Sequence, residues 1–185
     1  MIVLLTGPTG VGKTDTSWAL IELAAPMVFL DCDWFASRIP FSWKSAVDVE
    51  TVFQALSILL RYHIGRGSTR FVISLTVEMA QSFKQNRHYF DEFHLPMHHL
   101  QLRCTEDVLR HRILQRDRMK AQQDAELAVM REQQISFETL TREFAVVETS
   151  QIDERAAAEK IWHIVNRAND APTSPARITP RATGA

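Results

Sequence analysis

The sequence predicts an α/β protein in three layers, with helices on both faces of a mostly parallel five-stranded sheet. Three observations carry that expectation. Short, wholly apolar runs alternate with amphipathic stretches along the chain, which is the pattern of strands joined by crossover helices. The runs are apolar on both faces, as strands buried between two helical layers must be. A glycine-rich turn separates the first run from the first amphipathic stretch.

Each element has its own signal. Ile2–Thr6 (IVLLT) is the first apolar run, followed by glycines and a helical pattern through Trp18, Ile21 and Leu23. Met27–Asp31 (MVFLD) is the second run and ends in acid. Val49, Val52, Phe53, Leu56, Leu59 and Leu60 recur every three to four residues, so Val49–Ile64 reads as a helix. Phe71–Leu75 (FVISL) is a third strand and Glu78–Phe90 a helix. Met97–Leu102 reads as the fourth strand, and Glu106–Asp117 as a helix with Thr105 at its cap. A Glu-, Gln- and Met-rich helical stretch follows, from about Gln122 to Phe144. Ala145–Glu148 is the fifth short run, and Glu154–Asn169 the last helix, marked by Ile161, Trp162, Ile164 and Val165. Residues 1–169 are therefore expected to form one domain. The segment after it, 170–185, holds three of the seven prolines and no apolar period, as a flexible tail would.

Composition removes several functional classes. The 185 residues carry 21 Lys+Arg against 22 Asp+Glu, a formal charge of −1, which gives nucleic acid no basic footprint. No apolar run reaches the roughly 18–20 residues that span a bilayer, and the amino terminus lacks the pattern of a secretory signal. A cytoplasmic location is expected. Cys32 and Cys104 are isolated, so both read as reduced core residues rather than as a disulfide or metal framework.

The chemistry starts at Gly7-Pro8-Thr9-Gly10-Val11-Gly12-Lys13-Thr14, a full GxxxxGK[ST] phosphate loop in the required context of strand before and helix after. Main-chain amides of Gly7, Thr9, Gly10, Val11 and Gly12 would curl round a polyphosphate, aided by the positive end of the helix. Lys13 supplies a mobile charge to the terminal phosphates, and the Thr14 hydroxyl can complete a magnesium shell. Two acids, Asp31 and Asp33, leave the second strand at its carboxyl end, where open parallel sheets bind ligands. Two readings stand for them. In one, Asp31 serves the metal and Asp33 is a base toward a substrate hydroxyl; in the other, both cap a turn at Trp34.

With this loop and the strand-DxD that follows, the chain resembles the small P-loop kinases of the nucleoside monophosphate, shikimate and gluconate kinase group. The resemblance covers most of residues 1–168 and implies a P-loop kinase fold, bound ATP and Mg2+, and transfer of the γ-phosphate to a small-molecule hydroxyl or phosphate. Carried over, the DxD acids fall on Asp31 for the metal and Asp33 for the acceptor. In this group a strand, a helix and a mobile lid follow in order, the helix-end arginine packing on adenine and the lid arginine reaching the transferring phosphates. The RxxxRD spacing puts those roles on Arg112 and Arg116, with Arg118 a second lid candidate and a lid around 112–125. The same arginines at four-residue spacing also describe a solvated helix face. The resemblance further implies that the adenine edge meets the segment Glu148–Gln151. Where shikimate kinases carry a glycine-rich substrate motif, this chain has Ser74-Leu75-Thr76, which leaves the acceptor open.

Other residues weigh less. His94, His98 and His99 lack partners at metal spacing and read as loop and strand residues. Trp34, Phe35, Phe41 and Trp43 either floor an apolar pocket or pack in the core. Glu78 and Arg87 are conceivable substrate contacts that nothing in the sequence singles out. Two other functions fit the phosphate loop. One is a non-enzymatic nucleotide switch, although the chain has no DxxG and no base-reading NKxD. The other is an isopentenyl-type transferase that uses the loop for a diphosphate.

Overall fold

Neighbouring residues of the first strand, β1 (Ile2–Thr6), face opposite ways, and all five are buried. Val3 and Leu5 enter one core with Leu20, Leu102, Leu109, Ile113 and Ile161. Ile2 and Leu4 enter a second core with Phe53, Leu56, Phe71, Ile73 and Phe83. Two apolar faces on one strand require a layer of helices on each side, which the computed structural model supplies. It describes residues 1–36, 40–140 and 144–170; the tail expected from the prolines lies outside them, apart from Asp170.

The strands are β1, β2 (Val28–Asp31), β3 (Phe71–Leu75), β4 (Met97–Arg103) and β5 (Ala145–Glu148). They lie in the order β2-β3-β1-β4-β5, and every pair is parallel, so the expected mostly parallel sheet is wholly so among the described residues. The helices are α1 (Lys13–Leu23), α2 (Ala46–Gly65), α3 (Val77–Asn86), a single turn α4 (His88–Asp91), α5 (Glu106–Leu114), α6 (Lys120–Leu140) and α7 (Glu154–Asp170). Helices α1, α5 and α7 cover the first face, and α2 and α3 the second. The β1 strand sits at the centre, with Thr6 level with Leu75 on one side and Gln101 on the other, and Asp31 level with Ser74. The carboxyl ends of β1, β2 and β3 therefore share one edge of the sheet, where the phosphate loop and the acid pair emerge.

Local chemistry sets the boundaries. Ser45 starts α2 three residues before the apolar period shows it, because its side chain accepts the Asp48 amide. Thr76 does the same for α3 by accepting the Met79 amide at 3.2 Å. Helix α5 stops at Leu114 rather than at Asp117, since the Gln123 side-chain amide reaches back from α6 to the carbonyls of Leu114 (3.1 Å) and Arg116 (3.0 Å). Thr105 does not cap α5 through its hydroxyl; its amide is held instead by Ser150 Oγ at 3.0 Å. The 112–125 segment thus runs from the end of α5 through a short link into the first turns of α6, which packs against both α5 and α3. Cys32 and Cys104 are free thiols, both buried. No helix among the described residues is long and apolar enough to cross a membrane.

Candidate active site

The phosphate loop leaves β1 and turns sharply into α1. Gly12 begins that helix at φ 95°, a left-handed conformation that a side chain disfavours. Gly7 is needed for a different reason. A Cβ there would lie 2.6 Å from Val11 Cγ1 and 2.9 Å from the Leu102 carbonyl oxygen, so the loop can hug β4 only without one. The Val11 amide closes the turn onto the Pro8 carbonyl at 3.2 Å. The Thr9 amide and hydroxyl both donate to Gln133 Oε1 on α6, at 2.9 and 3.1 Å. Gln133 escapes sequence reading: it lies 124 residues from Thr9 on a helix with several glutamines and no local motif.

Lys13 Nζ donates to the Gly7 and Pro8 carbonyls at 2.8 and 3.4 Å. Burial lowers its pKa from the ordinary lysine value, while the carboxylates of Asp33 and Asp31 oppose that shift. Thr14 Oγ1 donates to Asp31 Oδ2 at 3.1 Å, and Asp31 Oδ1 accepts the Asp33 amide at 3.2 Å. The Asp31 carboxylate therefore caps the short 3-10 turn Cys32–Phe35, as one of its two readings expects, and also touches the phosphate-loop threonine. Partial desolvation, then the neighbouring Asp31 charge, pushes the Asp33 carboxyl above its ordinary range; Lys13 works against this and Glu78 adds to it.

These groups fit a hard divalent cation. Ligand atoms of Asp31, Cys32 and Asp33 lie within 4.8 Å of one another. Burial and the flanking carboxylates drive the Cys32 thiol well above its usual range, so it stays protonated and offers no thiolate. What remains is an all-oxygen set, the Thr14 hydroxyl beside the Asp31 carboxylate, which is the donor chemistry magnesium takes.

One cavity borders the loop directly, and a second meets it only through Gln133. The smaller, about 300 Å³, is bordered by Gly10, Val11, Gly12, Arg112, Arg116 and Thr149. Arg112 ties its walls together, donating to the Val11 carbonyl at 3.1 Å and to the Thr149 carbonyl at 3.0 Å. The Thr149 amide is likewise engaged, by the Arg103 carbonyl at 2.7 Å. Arg116 reaches the same cavity and is oriented by Glu126 at 2.8 Å; Glu126 also holds Arg118. The larger cavity, about 820 Å³, opens between the 42–46 segment, α3 and α6, and Gln133 forms part of its wall. Trp43 lines it and, like Phe35 and Phe41, packs against the second core, whereas Trp34 is largely exposed. Glu78 lines it as well, while Arg87 pairs with Asp91 on the surface at 2.9 Å. The histidines are dispersed: the His99 ring lies against Phe83 and Phe144, and His94 occupies a left-handed loop position.

A family model described as an AAA domain matches residues 2–140. A search of curated proteins finds no match. Among solved structures, the chain is similar to shikimate kinase from Acinetobacter baumannii in complex with shikimate, at 19% identity and a TM-score of 0.61, covering 92% of this chain and 94% of that one. It is also similar to a gluconokinase from Sinorhizobium meliloti 1021 (18% identity, TM-score 0.58, covering 90% and 94%). A third similar structure is the tunicamycin resistance protein of Deinococcus radiodurans (19% identity, TM-score 0.58, covering 89% and 94%). The family match spans well over half of the sequence, and the parallel sheet runs β2-β3-β1-β4-β5, so the chain belongs to the AAA domain family and has the fold of the small P-loop kinases.

Proposed function

We propose that this protein is an ATP-dependent phosphotransferase that moves the γ-phosphate to a small-molecule hydroxyl or phosphate. The observation that carries the proposal is the meeting of two acids of different character with the phosphate loop. Asp31 is bonded to Thr14, and Asp33 stands near Lys13 with its carboxyl pushed up. The two cavities fit a donor on one side and an acceptor on the other. The similar folds of a shikimate kinase, a gluconokinase and a sugar kinase support the same reading.

In this scheme the loop amides and Lys13 hold the β- and γ-phosphates, the Thr9 and Val11 amides exchanging Gln133 and the Pro8 carbonyl for phosphate oxygens, and Arg112 braces the nucleotide side. Asp33 accepts the proton of the attacking hydroxyl, for which a raised pKa is an advantage, because a stronger base takes a proton more readily. As the new oxygen–phosphorus bond forms and the β–γ bridge breaks, Lys13 and Arg116 offset the negative charge on the phosphate oxygens. Magnesium, when held by Thr14 and Asp31, would supply further neutralisation of that charge. An ADP-release assay across a metabolite panel tests the proposal, with magnesium-ATP binding measured in parallel by calorimetry. ATP turnover that depends on an added acceptor, and lost nucleotide binding in Lys13→Ala, are expected. Tight binding without turnover on any acceptor would instead favour a nucleotide switch, and no binding of any nucleotide would defeat the proposal.

A further inference from the structure

The larger cavity has an electrostatic character that says what enters it. Glu78 stands on its wall in the first turn of α3. Its Oε1 receives only a long 3.5 Å contact from Gln133 Nε2, and its Oε2 is buried without a hydrogen bond among the described residues. A carboxylate oxygen removed from water and left unpaired is costly, and the natural remedy is a donor brought by a ligand. The protein offers little competition for that role. Among the described residues lining the cavity the one cation is Lys44, and Glu132 holds its ammonium at 2.9 Å. Glu78, Glu132 and Lys44 leave the wall with an excess of negative charge. Asp33 lies outside the lining, but the charge of Glu78 reaches it. Trp43, Val49 and Val129 supply apolar surface beside these groups.

We propose that the acceptor is an amino alcohol, its hydroxyl presented to Asp33 and its ammonium seated on Glu78 Oε2 inside the 820 Å³ cavity. The assignment rests on the phosphotransferase reading of the site. An ammonium satisfies the orphaned oxygen with a charge-assisted hydrogen bond. An acceptor bearing a carboxylate would instead meet the two acids of the wall and one lysine that is already paired.

Two matched series test this on the full chain by calorimetry without nucleotide: 2-amino-1-phenylethanol, its N-acetyl derivative and mandelate; and glucosamine, N-acetylglucosamine and glucuronate. In at least one series the amine is expected to bind tenfold or more tighter than its N-acetyl partner, with the acid weakest. Glu78→Gln is expected to erase that order while magnesium-ATP affinity stays at the wild-type level. Acids binding as well as amines, equal or undetectable heats across both series, or an order that survives in Glu78→Gln would each overturn the proposal. Should Glu78→Gln not fold, the wild-type ranking decides alone. Because this ranking needs no ATP, an intact order without phosphoryl transfer would refute the kinase reading and leave the cation site standing. Transfer that prefers the acids would do the reverse.

Discussion

Arg112 joins two stretches of main chain beside the smaller cavity, the phosphate loop at Val11 and the turn after β5 at Thr149. Arg112→Ala removes both bonds and leaves two carbonyls without that donor. A hydrogen bond from a charged group contributes about 1.5–3 kcal/mol. The side chain is half-buried, so the low end applies, and the pair together should be worth about 2–3 kcal/mol. For a chain of this length each kcal/mol shifts Tm by roughly 2–4 °C, which puts Arg112→Ala about 4–12 °C below wild type. Arg112→Lys should fall between the two, because one ammonium cannot span both carbonyls as a planar guanidinium does. Those carbonyls frame the 300 Å³ cavity, so the Kd for magnesium-ATP should rise at least about tenfold, the equivalent of 1.4 kcal/mol. Arg110, exposed two residues earlier on the same helix, is the control. Thermal melts and calorimetry on the three variants decide. If Arg112→Ala matches Arg110→Ala in both, the cross-tie does not hold the site; if it loses stability but keeps its affinity, the tie is structural only.

Two further outcomes follow from the same geometry. Gly7→Ala places a Cβ against the Leu102 carbonyl, which is main chain and cannot rotate away, so a loss of about 1–3 kcal/mol is expected in urea unfolding; an unchanged midpoint would show that the loop can back off β4. Asp33→Asn should lower acceptor-dependent turnover by about 10²–10⁴-fold while magnesium-ATP still binds. It should also raise the Tm of the nucleotide-free protein at neutral pH. The Asp33 pKa is raised in the folded state, so wild-type stability declines as pH climbs from the ordinary carboxyl value of 3.8 through that raised value. The advantage of the asparagine is therefore complete above the raised value and vanishes below 3.8. Scanning calorimetry at acid and neutral pH checks this, and a variant melting below wild type at neutral pH would contradict it.

What the sequence shows best is what is local. The phosphate loop is eight consecutive residues whose glycines answer to backbone geometry, and the acid pair ends a strand of four residues. The apolar runs likewise mark the strands because burial on both faces leaves no polar alternation. What escapes is what arises between distant elements. The end of α5 is set by Gln123 on the next helix, the hold on Thr9 by Gln133, and the orientation of Arg116 by Glu126. None of these partners is distinguished by spacing, since on a helix rich in Gln and Glu any of several side chains has the right chemistry. Glu78 is the sharpest case. Beside Thr76 it looks like an ordinary acid in a first helical turn, and only its orphaned oxygen in the folded chain marks it.

The position of the acids is itself a consequence of core packing. On β2, Phe29 faces the first core, where its ring meets Trp18 of α1 edge-on at 5.4 Å. Leu30 faces the second core. Asp31 follows, back on the side of Phe29 and therefore on the side of α1, whose first turn carries Thr14. A slip of one residue between β2 and β3 would send Phe29 and Leu30 to the wrong layers and turn Asp31 away from Thr14 at the same time. The observed pairing, Leu30 with Ile73 and Asp31 with Ser74, is thus fixed by two buried apolar side chains. The 3.1 Å contact between Asp31 and Thr14 is delivered by that register. The turn that Asp31 caps then sets Asp33 two residues beyond. Hydrophobic alternation on a four-residue strand places one acid against the phosphate loop and the other within the field of Lys13.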